Sequence, residues 1–242
     1  GSWLKDFNMF FDLNIKGSSY EDNLELANEA FKYGWEHVNF SYNQNNFSDA
    51  LHYKDDLLEE FSDKIDYTLE IKSNNVGEVR KIANKFRNKV SCISVLGGDL
   101  KVNRATLENI QIDILSRPYL KRYDSGINHV LAKEAFKNNV AIEISFVDAL
   151  KTYSTHRSKV LSNFKDIYTL YRKFKFPLIL SSHAESIMDI RTPQDFKSFF
   201  IQTGLTSDEV DNCNNSALNI LEFNKNRKNL ILKGVRRVND EA

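Results

Sequence analysis

Phe11-Asp12-Leu13-Asn14-Ile15-Lys16 is a short and largely apolar run. From residue 20 to residue 33 the pattern changes. Leu24, Ala27, Ala30 and Phe31 recur there at the spacing that places them on one face of a helix. The same order, a brief apolar segment and then a longer amphipathic one, repeats along the chain. Strands are expected at 9–15, 37–41, 67–71, 91–96, 111–115, 140–144 and 177–181. Helices are expected between them, at 20–33, 48–61, 76–86, 103–108, 127–137 and 159–174. Several strand segments are apolar almost throughout, as strands covered on both faces are. Repeated strand-then-helix order predicts parallel strands joined by right-handed crossovers. Seven such units suit an α/β fold of the TIM-like (β/α) barrel type, with about seven parallel strands, better than an open doubly wound sheet. No Gly-rich loop follows the first strand, which argues the same way.

After the last strand a helix is expected at 193–203, with two shorter helices within 207–223. Thr192-Pro193 reads as an N-cap followed by proline at the first helical position. Gly204 reads as a helix stop. Ser207 and Asp208 before Val210 form a second capping pattern.

The 242 residues suit one barrel or two small domains. Only three prolines and nine glycines occur, and no linker is visible inside 9–223. The expected division is therefore a tag remnant (Gly1-Ser2) and short lead at 1–8, a single barrel at 9–223, and a polar, partly ordered tail at 224–242. A hydrophobic content of 41% beside 27% charged residues supports a packed core and excludes wholesale disorder. Basic and acidic residues balance at 33 each, so contact with a polyanion requires a local patch. Cys92 and Cys213 match no metal spacing and form no close pair, a pattern that suits a reducing cytosol. No signal peptide is read, and no apolar stretch approaches the roughly 20 residues a membrane helix needs.

In a β/α barrel, function gathers where strands run into helices. The residues expected there are Lys16 after the first strand, Tyr42 and Asn43 after the second, and Lys72 after the third. Arg117, Lys121 and Arg122 follow the fifth, Lys151, His156 and Arg157 the sixth, and His183 and Arg191 the seventh. Cations from five loops at one mouth would give a neutral protein a phosphate-binding site, with arginine suited to bidentate contact. The competing account is structural, since these cations could instead pair with Asp12, Glu70 or Glu143. Tyr42, Tyr119, Tyr123 and Tyr153 fall in the same loops and are candidates for stacking on RNA bases. The other aromatics lie mainly on helix stripes or inside strands. No serine stands in a nucleophile elbow, and no cysteine has a convincing histidine partner.

The opening strand resembles that of the polymerase-and-histidinol-phosphatase (PHP) barrel, which carries Asp-x-His-x-His. Here the two histidine positions read Asn14 and Lys16, and a lysine ammonium cannot ligate a divalent metal. The second motif, Thr-Asp-His, is replaced by Ser41-Tyr42-Asn43, and the late Ser-Asp-x-His by Ser181-Ser182-His183-Ala184. Asp12, Glu70, Glu143 and His183 remain as donors, too few and scattered to rebuild a metal cluster. No catalytic residue, metal or cofactor is assigned.

Over residues 10–224 the chain resembles the archaeal ribonuclease P protein component 3 family, PHP-like barrels that lack the metal ligands. The resemblance rests on Phe11-Asp12-Leu13-Asn14-Ile15, Gly34-Trp35-Glu36-His37-Val38, Asp113-Ile114-Leu115-Ser116-Arg117 and Gly126-Ile127-Asn128-His129-Val130. It continues through Val140-Ala141-Ile142-Glu143-Ile144, the stretch 156–163, Leu180-Ser181-Ser182-His183-Ala184 and Asp189-Ile190-Arg191-Thr192-Pro193. The family usually has glycine at the position of His183. The resemblance implies a non-catalytic ribonuclease P subunit that supports the catalytic RNA as it removes the 5′ leader from precursor tRNA. The partners implied are the enzyme's RNA and its other protein subunits, especially protein component 2, with precursor tRNA met indirectly. Such a subunit is expected in the cytoplasm, with no membrane contact. The residues expected to touch RNA are Lys16, Lys72, Arg117, Lys121, Arg122, Arg157 and Arg191. Two other readings stand beside this one: a PHP-type metal-dependent phosphoesterase acting alone, and a barrel that is only a protein scaffold. Metal content separates the first of these, and salt-dependent RNA binding the second.

Overall fold

The structure is a computed structural model that describes residues 9–227, 230–232 and 235–236. Seven parallel strands form one sheet in sequence order: β1 (Phe11–Lys16), β2 (His37–Asn43), β3 (Ile65–Ile71), β4 (Cys92–Leu96), β5 (Ile114–Ser116), β6 (Ala141–Ser145) and β7 (Leu178–Ser181). The sheet curls until its ends nearly meet. Past the end of β7, His183 N donates to Asn14 O at 2.8 Å and Lys16 N donates to Ala184 O at 2.9 Å. This seam, with the single bridge from Ile15 to Ala184, closes the barrel by a few hydrogen bonds where the other strand pairs have full ladders. The expected α/β barrel of seven parallel strands is therefore what forms.

Helices wrap the outside: α1 (Tyr20–Lys32), α2 (Phe47–Phe61), α3 (Val76–Phe86), α4 (Leu100–Leu107), α5 (His129–Asn138), α6 (Phe146–Leu150), α7 (Ser154–Phe174) and α8 (Pro193–Thr203). Local signals fix several of their ends. Thr192 accepts from Asp195 N and Pro193 opens α8, as its dipeptide predicts. Asn128 accepts from Leu131 N at 3.0 Å and starts α5.

The structure departs from the sequence reading in three places. A short helix, α6, begins directly at the end of β6, and α7 starts at Ser154 rather than at 159. The segment after Thr206 is one helix, α9 (Ser207–Lys225), not two. Its run of asparagines masks the apolar period, but Val210, Cys213, Ala217 and Leu221 still bury one face. Asn214 is satisfied across the fold: it accepts from Phe11 N at 3.0 Å and donates to Met9 O. Through these contacts α9 stoppers the end of the barrel where the strands begin. Ala217 and Leu221 meet Phe11, Leu13, Cys92, Ile114, Ala141 and Ile179 in a small internal core. Among the described residues the last elements are a two-stranded antiparallel pair, β8 (Leu230–Leu232) and β9 (Val235–Arg236), within the stretch read as a tail.

Candidate functional site: the barrel mouth and its rim

With one end stoppered, the open end is the mouth. Its interior holds Asn14, Ser116, Glu143, Ser181 and His183, all buried. Asn14 Nδ2 donates to His183 Nε2 at 2.8 Å, so the ring proton sits on Nδ1, 3.0 Å from Ser181 Oγ. Ser116 Oγ donates to Glu143 Oε1 at 2.6 Å. Burial dominates the titration of these groups. It pushes Glu143 up to about 8 and Asp12 up to about 6, and raises Glu70. It also drives His183 well below the ordinary imidazole value, with Arg117 and Lys72 adding to the effect. Glu143 and His183 stand 3.3 Å apart, yet both shift towards neutrality. Their contact is a neutral polar one and not an ion pair.

β1 is irregular where the PHP motif would lie. The register of β1 against β2 shifts between Asp12 and Ile15. Asp12 turns to backbone, accepting from Asn14 N at 3.1 Å and Ser182 N at 3.3 Å. Among the described residues, no three His, Cys, Asp or Glu side chains are arranged to hold a metal. The donors present do not fit the group that a PHP-type phosphoesterase would require.

The predicted cations separate into two groups. Three are restrained. Arg117, on a left-handed backbone (φ 55°), grips Asp148 with Nε at 2.9 Å and Nη2 at 2.5 Å. Tyr119 OH donates to the same carboxylate at 2.5 Å. Burial opposes the Arg117 charge, but Asp148 outweighs it and holds the guanidinium above its ordinary value. Arg122 spends Nε and Nη2 on Asp124 and Nη1 on Gly98 O, which ties the loop after β5 to the loop after β4. Arg191 sits on the flank. Its carbonyl accepts from Trp35 Nε1 at 2.7 Å, its Nη1 donates to Met188 O, and its guanidinium lies over Phe146. Arg117, Arg122 and Arg191 are thus each engaged by different partners.

The other four are exposed. Lys16 lies 3.9 Å from Glu185, which also attracts Lys151. Lys72 and Lys121 extend into solvent. Arg157 belongs not to a loop but to the first turn of α7, where it is exposed and has no ion pair among the described residues.

Two of the four tyrosines proposed to stack are core residues. Tyr42 is buried, with its hydroxyl between Asn23 Nδ2 and Ser18 O. Tyr119 is buried against Phe164. Tyr123 and Tyr153 are 89% and 79% exposed. Sequence reasoning missed Asp148, the partner that decides the fate of Arg117, because no motif marks it. It also missed Lys159, whose ammonium lies 4.9 Å from the centre of the Tyr123 ring.

Comparison with known proteins agrees with this geometry. The model of the family described as RNase P subunit p30 matches residues 9–229. Ribonuclease P protein component 3 of Methanothermobacter thermautotrophicus is 40% identical over 234 residues, 94% of each chain. Its counterpart in Methanocaldococcus jannaschii is 34% identical, over 77% of this chain and 80% of that protein. A chain in a cryo-EM structure of archaeal ribonuclease P with mature tRNA superposes with a TM-score of 0.82 at 31% identity, covering 96% of this chain and 99% of that one. The barrel, its seam and the sequence match together place the chain in one family: it belongs to the RNase P subunit p30 family.

Proposed function

We propose that this chain is a non-catalytic protein subunit of ribonuclease P and serves in removal of the 5′ leader from precursor tRNA. The observation that carries the reading is the near-complete superposition on a chain of an archaeal ribonuclease P assembly that contains tRNA. The mouth chemistry supports the non-catalytic part. Its histidine and its innermost carboxyl are held neutral inside a hydrogen-bonded plug, and its acidic donors are dispersed. The phosphodiester chemistry then falls to the enzyme's RNA, and the protein supports the RNA's active shape.

The proposed partners are the ribonuclease P RNA and the other protein subunits, protein component 2 in particular. Lys16, Lys72, Lys121 and Arg157 are the rim cations proposed to meet RNA phosphate, because they are exposed and hold no tight partner. Arg117, Arg122 and Arg191 contribute field and shape more than direct contact, since most of their donors are engaged. No described helix is long and apolar enough to cross a membrane, and a cytoplasmic location is proposed.

The test is reconstitution with the enzyme's RNA and companion proteins. Omitting this chain should lower precursor-tRNA cleavage at limiting magnesium. Equal cleavage with and without it would refute the reading.

A further inference from the structure

Away from the central mouth, the first turns of α7 carry an open hollow of about 580 Å³. Thr155, Ser158, Lys159 and Ser162 recur along α7 at the spacing of one helix face and line this hollow. Tyr123, from the loop after β5, stands beside it against Lys159. Lys159 covers one face of its ring, and the ring's 89% exposure leaves the other open. Tyr153 caps α7 six residues before Lys159, roughly 9 Å along the helix axis. These are the two most exposed large aromatics among the described residues.

The surroundings select the partner. The nearby acids are engaged: Asp124 holds Arg122, and Asp166 accepts from Ser125. Lys121, Arg157 and Lys159 are exposed, and α7 carries no acidic residue in its first turn. The patch is thus cationic, hydroxyl-rich and aromatic. Exposed lysines and an arginine with the nearby acids already engaged favour a polyanion. Stacked bases joined by phosphates match it, with rings for the bases, hydroxyls for ribose and lysines for phosphate. Duplex RNA keeps its bases stacked on each other and could not use the two rings.

We propose that the hollow along the start of α7 takes an unpaired stretch of RNA, with Tyr123 and Tyr153 beside it stacking on its bases. The proposal rests on the ribonuclease P reading and narrows it to one surface and one state of the RNA. The loop is held ready for this. Arg122 and Asp124 brace it from one side, and the Ser125–Asp166 contact ties it to α7 from the other. Lys159 orders the Tyr123 ring before RNA arrives, which lowers the entropy cost of binding.

The experiment measures binding of the full chain to a short fluorescent oligouridylate, and to a duplex of the same length, at fixed salt. Tyr123→Ala and Tyr153→Ala should each weaken single-strand binding roughly fivefold or more, and duplex binding little. Tyr→Phe at either site should restore binding, because stacking needs the ring and not the hydroxyl. Melting temperature should not move, as neither ring is buried. Wild-type affinity in the double alanine variant would overturn the proposal. Retained RNA affinity without association to the companion proteins would overturn it too, by making the patch a protein interface. Reconstituted cleavage separates this from the broader reading. If omitting the chain lowers cleavage but the variants bind RNA normally, only the stacking site fails. If omission changes nothing, the subunit reading fails, whatever the tyrosines do.

Discussion

Asn14 and His183 meet at the barrel seam twice. Asn14 O accepts from His183 N at 2.8 Å, and Asn14 Nδ2 donates to His183 Nε2 at 2.8 Å. The backbone of His183 is left-handed there, with φ 52°. A residue with a β-carbon is strained in that conformation by roughly 1–2 kcal/mol. Glycine carries no such strain in that conformation. In this chain a neutral imidazole offsets the strain by filling the mouth and bonding Asn14 and Ser181.

His183→Gly and His183→Ala should therefore differ. Both remove the ring, but only alanine keeps the strain. The glycine variant should be more stable by about 1 kcal/mol. Thermal unfolding of the pair decides it, and equal stability would show that the backbone is not strained.

Breaking the Arg117–Asp148 pair should cost stability before it costs RNA binding. Asp148→Ala strands a largely buried guanidinium and the Tyr119 hydroxyl, a loss of about 3 kcal/mol. Arg117→Ala should likewise lower the melting temperature while leaving the salt slope of RNA binding almost unchanged. A reduced salt slope with unchanged melting would reverse the assignment.

The exposed cations should behave oppositely. Replacing Lys16, Lys72, Lys121 or Arg157 by alanine should leave melting unchanged. Removing a cation that touches phosphate should lower the salt slope of RNA binding by roughly one unit or less, whatever the RNA sequence. A quadruple variant with wild-type affinity and slope would move RNA binding off the rim.

Glu143 and His183 should make opposing contributions to the pH dependence of stability. Glu143 is raised to about 8 in the fold, so the native state holds a proton that the unfolded chain has released. Its contribution is fully present below the ordinary glutamate range and is lost as pH rises through about 8. His183 is depressed, so the unfolded chain takes up a proton that the native state refuses, and stability falls as pH drops below the ordinary imidazole value. Glu143→Gln should remove much of the fall in melting temperature as pH rises towards about 8, and leave the His183-linked loss at acid pH in place. An unchanged alkaline limb would show that Glu143 is ionised in the native state.

Gly126→Ala should loosen the loop that carries Tyr123. The backbone there is left-handed, with φ 75°, and an added β-carbon would stand 2.0 Å from Pro118 O. Asn103 Nδ2 bonds both Pro118 O and Gly126 O, so the turn cannot shift without breaking those bonds. A cost of about 2–3 kcal/mol is expected on denaturant unfolding, and a neutral substitution would contradict this packing.

Chain order and local pattern were legible in the sequence. Short apolar runs alternating with amphipathic ones dictate parallel strands and crossover helices, because hydrogen bonding and the burial of one helix face act over a few residues. Thr192-Pro193 fixes the start of α8 for the same local reason. The missing metal histidines were equally plain, since Asn14 and Lys16 occupy their positions. The fate of each mouth residue was not. Arg117 is spent on Asp148, 31 residues away, and Tyr42 and Tyr119 turn inward while Tyr123 and Tyr153 stay out. The stretch 207–223 read as two short helices, whereas one helix forms and its Asn214 meets Met9 and Phe11, more than 200 residues earlier. A polar side chain is costly to bury alone and harmless once paired. Its partner is chosen by the closed barrel and not by its neighbours in sequence, so only the tertiary structure could decide which cations are engaged within the fold and which stay exposed.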